Sequence, residues 1–199
     1  MARISLQSGA DVPEEIQTIY ETLEDTGLDA FMHQAQALAH HPPFLKVISK
    51  LLLAYYHESV VDQEYLELCV LAVSVQNQCE YCVYHHTPLA LQTSLDEDKV
   101  QAVVEGRWDA SDRFDETERL VLRYAEQISR DANRVDDALF DALKERFRPQ
   151  QLVELTVRIA MAGFFNRFNS VLQLDMEPAA QELYQAVTED GAEPAAESE

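Results

Sequence analysis

The chain has few of the residues that interrupt regular structure, with five Gly and seven Pro among 199 residues. A β-sandwich or β-barrel needs many turns, and this scarcity argues against both architectures. The abundance of Leu, Ala, Glu and Gln favours helices instead. Apolar residues make up 47% of the chain, which is enough for the buried core of one domain. We therefore predict an all-α fold.

Basic residues are also scarce, because 36 acidic residues face only 15 Lys and Arg, and the net charge is −21. A field of this sign repels nucleic acids and anionic membranes, so we expect neither as a partner. No apolar run approaches the roughly 18–20 residues of a membrane span, and the first residues show no signal-peptide pattern. We expect a cytoplasmic protein.

Cysteine is limited to three residues, Cys69, Cys79 and Cys82. An odd number does not suit the disulfide framework of a secreted domain. In a reducing compartment, the close pair Cys79 and Cys82 is expected to be reactive or metal-binding. Cys69 lies on an apolar helix face and is predicted to belong to the core.

Cap residues and apolar spacing predict a chain of helices. Asp11-Val12-Pro13-Glu14 begins the first helix, Ser94-Leu95-Asp96-Glu97 is predicted as the capping box of the sixth, and Asp115-Glu116-Thr117-Glu118 begins the seventh. The remaining helices are predicted at about 28–40, 44–57, 62–75, 79–92, 136–147 and 149–174, with a short one ending near 187. We predict one domain over 1–188, with its core at about 42–175, and a disordered acidic tail at 189–199.

A shift of 87 positions aligns Glu64–Val70 with Gln151–Val157. The same shift places Cys79 and Cys82 on Asn166 and Asn169. This pattern predicts an internal duplication of a helical hairpin, in which only the first copy carries redox-capable side chains.

The cysteine pair has the spacing of a reactive site. Helix N-termini lower thiol pKa values, and i, i+3 spacing at a helix start places both sulfurs on one face. A chain reversal at Asn77-Gln78 would bring Glu67 towards His86. His86 follows Cys82 by one helical turn and suits a base that moves a thiol proton, whereas His85 points about 100° away.

Glu67 is the one carboxylate in the apolar stretch from Leu66 to Val75. Burying a lone carboxylate costs several kcal/mol unless it is paired or protonated, and this cost is tolerated mainly where the group has a function. The alternative is a position paired with an Arg, or exposed at an interface.

The pair Cys79 and Cys82 has other interpretations. Structural zinc could take these two residues and His86, with Glu67 or His85 as the fourth ligand. Two incidental core thiols, or a purely structural pair, are further alternatives. Because the chain has no second CxxC motif and no HxxxH motif, we expect no metal and no cofactor.

The combination Glu67-x11-Cys79-x2-Cys82-x3-His86 resembles the alkylhydroperoxidase D-like branch of the carboxymuconolactone decarboxylase superfamily, over about 42–175. The resemblance implies a compact helical fold, peroxidase activity on hydroperoxides, and a homo-oligomer (dimer, trimer or hexamer). The superfamily's lactone decarboxylases are an alternative, but they typically lack the CxxC motif.

Carried over from the resemblance, Cys82 would be the peroxidatic cysteine, and Cys79 would resolve its sulfenic acid as a disulfide. His86 and Glu67 would relay protons, and a thioredoxin-like or lipoylated dithiol would restore the thiols. The best-studied branch has a histidine directly before the second cysteine. Here that residue is Tyr81, so the relay is shorter.

Overall fold

The computed structural model describes residues 2–9, 12–26 and 29–189, and over these ranges it contains ten α-helices, three short 3-10 turns and no strand. The all-α prediction is confirmed. No helix of these ranges is long and apolar enough to cross a membrane. The helices are α1 (Glu14–Asp25), α2 (Met32–Leu38), α3 (Pro42–Glu58), α4 (Gln63–Gln76), α5 (Glu80–Leu91), α6 (Glu97–Val104), α7 (Glu116–Asp131), α8 (Asp137–Arg146), α9 (Pro149–Leu172) and α10 (Pro178–Glu189).

Helix α4 is the centre of the fold. Its nine residues from Leu66 to Ser74 are all buried, and the helix contacts α5, α6, α7 and α9. A helix that is apolar on every side needs neighbours on every side, and these four helices supply them. Glu67 therefore lies in the middle of the protein, as its apolar surroundings predicted.

The chain reverses between α4 and α5 at the predicted place. Gln78 adopts the left-handed conformation with φ 54°, and the Cys79 amide donates a hydrogen bond to the Ser74 carbonyl at 2.9 Å. This left-handed residue after the helix is a common way to end an α-helix. It turns α5 back against α4 and puts Cys79 directly before the first residue of α5.

The predicted helix starts have mixed outcomes. The Asp115–Glu118 capping box at α7 is confirmed in both directions. The capping box assigned to Ser94 is wrong, because Asp96 caps α6 by accepting from the Lys99 amide at 2.8 Å. An aspartate two residues closer to the helix satisfies the same free amides, so α6 begins at Glu97.

Other predicted boundaries shift by a few residues. Pro13 precedes α1, and Asp11 lies outside the described residues. Helix α9 ends at Leu172, before a left-handed Gln173, rather than near 174. Glu189 is the last residue of α10, and 190–199, which hold almost all of the predicted tail, lie outside the described residues.

The prediction of a duplicated helical hairpin is wrong. At the positions that align with the Asn77-Gln78 turn, α9 has Phe164 and Phe165 and continues without a break. Arg158 bonds to Glu67 while Asn166 bonds to Ser74, so α4 and α9 run side by side in the same direction. Parallel helices packed on one core can have similar apolar spacing, so the sequence similarity does not require a repeat.

Candidate active site

Cys79 and Cys82 lie at the start of α5, and their sulfurs are 2.9 Å apart. Both residues are buried free thiols. Cys79 occupies the cap position and Cys82 the first turn, where the free amides of a helix N-terminus favour negative charge. The sequence predicted this juxtaposition from the i, i+3 spacing.

The two thiols are hydrogen-bonded to each other, so the pKa of each one depends on whether the other is ionised. The hydrogen bond with Cys82 lowers the pKa of Cys79 to about 7, although burial opposes this shift. The same contact and burial raise the pKa of Cys82. Near neutral pH, the pair can hold one negative charge, which a proton moving across 2.9 Å can place on either sulfur.

Glu67 of α4 and His86 of α5 form the predicted pair, with 2.7 Å between Oε2 and Nδ1. Arg158 of α9 donates to the other carboxylate oxygen at 3.2 Å. The sequence does not predict this contact, because nothing in the position of Arg158 on α9 indicates which helix it faces. The alternative of an Arg-paired Glu67 is thus also present, together with the histidine.

The charges of this trio follow from its contacts. Burial alone would raise the pKa of Glu67, but His86 and Arg158 outweigh burial and lower it. Burial lowers the pKa of His86 below its ordinary value of 6.5, although Glu67 opposes the shift. His86 is therefore neutral at pH 7. Its Nδ1–H donates a hydrogen bond to the Glu67 carboxylate, and its Nε2 is free to accept a proton.

Two asparagines of α9 lie against the cysteine turn. Asn169 donates to the Cys82 sulfur at 3.4 Å, and Asn166 bonds to both Ser74 and Asn77. These are the two residues that the 87-position shift aligned with the cysteines. They do not belong to a second hairpin, but they line the same site and fix the position of the turn.

A cavity of about 540 Å³ opens beside this constellation. Cys82, His86 and Glu67 line it, and Cys79 is not among the lining residues. Its other walls are mainly apolar side chains of α2, α3, α4 and α9. The ring of Phe31 packs at 5.2 Å from the His86 ring at one side. Cys82 is therefore the sulfur that a bound molecule can reach.

A second histidine–carboxylate cluster, which the sequence did not predict, holds the opposite side of α5. Glu177 accepts from Tyr81 Oη at 2.9 Å, from His85 Nε2 at 2.8 Å and from the His33 amide at 2.8 Å. His85 Nδ1 faces the Tyr81 carbonyl at 2.6 Å. Both ring nitrogens of His85 therefore face hydrogen-bond acceptors, which hold the ring in place.

His85 thus points away from the cysteines, as predicted, and has its own partner. Glu177 could not be assigned from the sequence, because it lies 92 positions after His85 in an unremarkable polar segment. Among the residues described, no group of three or more His, Cys, Asp and Glu side chains is arranged to hold a metal ion.

Comparison with known proteins supports the resemblance. Residues 42–127 match the model of the carboxymuconolactone decarboxylase family. A 116-residue stretch is 34% identical to the uncharacterised protein YnjA of Escherichia coli K12, and it covers 58% of this chain and 58% of YnjA. The chain thus spans less than two thirds of that relative.

Three solved structures share the fold. An uncharacterised peroxidase-related protein from Silicibacter sp. TM1040 has a TM-score of 0.79 at 18% identity, over 92% of this chain and 95% of the other. An uncharacterised peroxidase-related protein with an alkylhydroperoxidase AhpD core, from Ralstonia eutropha JMP134, has a TM-score of 0.77 at 21% identity, over 92% of this chain and 96% of the other. The debrominase Bmp8, in complex with 2,3,4-tribromopyrrole, has a TM-score of 0.75 at 21% identity, over 94% of this chain and 100% of the other. At these identities the likeness establishes the AhpD-like fold.

Proposed function

We propose that this protein, whose residues 42–127 match the model of the carboxymuconolactone decarboxylase family, is a thiol-dependent hydroperoxide reductase that uses Cys79 and Cys82. One observation carries the proposal. Two free thiols lie 2.9 Å apart, and one of them opens into a cavity that a neutral histidine also lines. This arrangement can oxidise one thiol with a bound peroxide and close a disulfide with the other.

The chemistry balances with these groups alone. A Cys82 thiolate attacks the outer peroxide oxygen, the O–O bond breaks, and the alkoxide takes a proton to leave as an alcohol. The Cys82 sulfenic acid then reacts with the Cys79 thiol, which releases water and forms the disulfide. The peroxide gains two electrons and the dithiol loses two.

Access and ionisation point to different cysteines for the first step. The lowered pKa favours Cys79 as the thiolate, whereas only Cys82 lines the cavity. A proton crosses the short distance between the sulfurs much faster than a peroxide reacts, so access decides. We assign the attack to Cys82 and the resolving step to Cys79.

His86 and Glu67 move and hold protons in this proposal. His86 lines the cavity one helical turn from Cys82, and its free Nε2 can receive a thiol proton by way of an oxygen bound between them. Glu67 fixes the tautomer and favours the protonated ring. Burial opposes ionisation of Glu67, but His86 and, to a smaller extent, Arg158 hold the pKa of this carboxyl below its ordinary value.

The role assignment is tested by trapping the sulfenic acid with dimedone after treatment with cumene hydroperoxide. In Cys79→Ser the resolving thiol is absent, so label should accumulate on Cys82. In Cys82→Ser no label should form, because Cys79 does not face the cavity. Preferential labelling of Cys79 would reverse the assignment.

Turnover requires an external dithiol, and we propose a thioredoxin-like or lipoylated donor in a reducing, cytoplasmic setting. The two electrons of each cycle must be returned to the disulfide by thiol–disulfide exchange. Reduced thioredoxin and dihydrolipoamide, each supplied with peroxide, distinguish the two donors by their rates of alcohol formation.

We also propose a homo-oligomer. Large apolar side chains are exposed along one face of α3 and along α9, and such continuous apolar faces are typical of subunit contacts. These residues are Phe44, Val47, Leu51, Val153, Val157 and Phe164. Light scattering during gel filtration should give a mass at least twice 22.6 kDa, whereas a monomer mass would contradict the proposal.

Reductive debromination is a second candidate, favoured by the thiol pair at an apolar cavity and by the fold shared with the debrominase. Replacing a carbon-bound bromine by hydrogen needs two electrons and a proton, and yields bromide and the same disulfide. Bromide release from a brominated pyrrole, measured beside alcohol formation from cumene hydroperoxide, separates the two functions.

A further inference from the structure

Two polar atoms of the cavity wall make none of the contacts used in the proposed redox chemistry. Tyr55 Oη and Arg158 Nε are both buried, and neither has a hydrogen-bond partner among the described residues. Both residues line the cavity that Cys82 enters. The Arg158 guanidinium lies over the Tyr55 ring, 5.4 Å from its centroid, so the two groups belong to one patch of the wall.

Leaving such donors unpaired in the interior is costly. A buried polar group without a partner loses about 1–3 kcal/mol of free energy relative to hydration. Nearly all buried polar groups in proteins are paired, and an unpaired one needs an explanation. Two of them in the wall of a substrate-sized cavity are explained by a ligand that accepts hydrogen bonds there.

The charges around the patch decide what kind of acceptor fits. Arg158 carries the positive charge, but Glu67 lies 3.2 Å from it. Glu154 is close enough to act on the Tyr55 hydroxyl electrostatically, and His86 is neutral. The two carboxylates outweigh the one guanidinium, so the patch offers donors without net positive charge. A carboxylate ligand would be repelled, whereas a neutral oxygen would not.

We propose that this cavity binds a neutral, largely apolar molecule through one hydrogen-bond-accepting oxygen, of the ketone or ester type, held by Tyr55 and Arg158. The remaining walls, with Leu45, Leu52, Leu66 and Phe165 among them, enclose its hydrocarbon or aromatic part. The inference rests on the proposed function only in taking this cavity as the place where substrate meets Cys82. It adds that the hydroperoxide bound there also bears a neutral carbonyl group.

Binding to the reduced native protein tests the proposal without any redox step. Three probes of nearly equal size are titrated by calorimetry: benzylacetone (a ketone), butylbenzene (no polar group) and hydrocinnamate (a carboxylate). We expect hydrocinnamate to bind at least about tenfold more weakly than benzylacetone. Tightest binding of the carboxylate would overturn the assignment to neutral ligands.

Two variants locate the acceptor. The variants Tyr55→Phe and Arg158→Lys should each weaken the binding of benzylacetone about three- to tenfold, the range of one neutral hydrogen bond. The lysine keeps the positive charge beside Glu67. The affinity for butylbenzene should change less than about twofold in both variants. The control Tyr65→Phe lies outside the cavity lining and should leave the affinities for both probes unchanged. If both variants leave the affinity for benzylacetone unaltered, or weaken the binding of benzylacetone and butylbenzene equally, the proposal fails.

The outcome is independent of peroxidase activity. Because the probes contain no oxidant, a protein that fails to reduce peroxides can still show the predicted selectivity, and an active peroxidase can still fail it. Tyr55→Phe removes an unpaired buried hydroxyl, so its melting temperature should equal or exceed that of the native protein. This control separates lost binding from lost folding.

Discussion

Glu67 shows how a charged residue is retained in the most buried helix of the protein. Its two carboxylate oxygens have different partners, His86 on α5 and Arg158 on α9. Each partner offsets part of the desolvation cost, and together they tie three helices to one side chain. The residue that keeps His86 basic is thus also a structural link of the core.

We predict that Glu67→Gln slows peroxide reduction by about a hundredfold, the low end of what an acid–base group contributes. Glu67 raises the pKa of His86, so its loss makes His86 a weaker base. The acid limb of the pH–rate profile should move to lower pH.

The matched control is Glu118→Gln, a buried carboxylate on α7 that lies outside the cavity lining and accepts from Lys99 and from the Asp115 amide. It should leave the pH–rate profile in place. An unfolded Glu67→Gln protein, judged by circular dichroism, would assign Glu67 a purely structural role.

A second prediction concerns the shared proton of the cysteines. The contact with Cys82 is the main cause of the lowered Cys79 pKa, so Cys82→Ala should raise that pKa from about 7 towards or above its ordinary value of 9. Ultraviolet thiolate absorbance against pH measures the change. An unchanged midpoint would contradict the pairing. Burial raises the pKa of Cys69, so this thiol does not contribute to the transition.

The sequence contained the central part of the site but not its surroundings. Glu67, Cys79, Cys82 and His86 were predictable because they are close along two adjacent helices joined by one recognisable turn. Arg158 reaches Glu67, and Glu177 reaches the other side of α5, from segments about 90 positions away. Their contacts depend on how α9 and α10 pack, which the periodicity of an isolated helix does not fix.

At the scale of elements, α5 is held from two sides. Glu67 binds it from α4, and Glu177, in the segment between α9 and α10, binds Tyr81 and His85 on its other face. Tyr81 occupies the position where the best-studied branch has a histidine. Its hydroxyl donates a hydrogen bond to Glu177, so in this chain that position anchors α5.

We predict that Glu177→Ala lowers the unfolding free energy by about 1–3 kcal/mol, because it leaves two buried donors unpaired. Burial opposes the lowering of the Glu177 pKa, but the bonds from His85, His33 and Tyr81 prevail. A lowered folded pKa means that this stability is present above the ordinary value of 4.5 and is lost as the pH falls through the folded value.

Urea unfolding at pH 7 and at progressively lower pH measures both effects. The control is Glu182→Ala, an exposed glutamate on α10, which should stay within about 0.5 kcal/mol of the native protein. Equal effects of the two substitutions would show that Glu177 does not anchor α5.

Helix positions were largely predictable, and the errors have a common origin. Ser94 and Asp96 are both good caps, and only the packing of α6 decides which one is used. The apolar repeat over α4 and α9 indicated a second hairpin, yet the same pattern also serves a straight helix that packs beside α4. Caps and apolar spacing predict where helices lie, but they predict few of the turns. The turn at Gln78 is an exception.

At the scale of the whole molecule, the net charge of −21 opposes the compact state. Several surface ion pairs exist, such as Lys46 with Glu15, but exposed pairs contribute little. Salt screens the repulsion among the excess carboxylates over a distance of about 10 Å at 0.1 M. We predict that the melting temperature rises between low and molar KCl. A flat or falling curve would show that the excess charge is not destabilising.

The most direct test of the proposed function is to treat the reduced protein with one equivalent of cumene hydroperoxide and map its peptides without reduction. We expect one cumyl alcohol for every two thiols lost, a Cys79–Cys82 disulfide, and Cys69 still a free thiol. Survival of both thiols while the peroxide persists, or oxidation confined to Cys69, would contradict it.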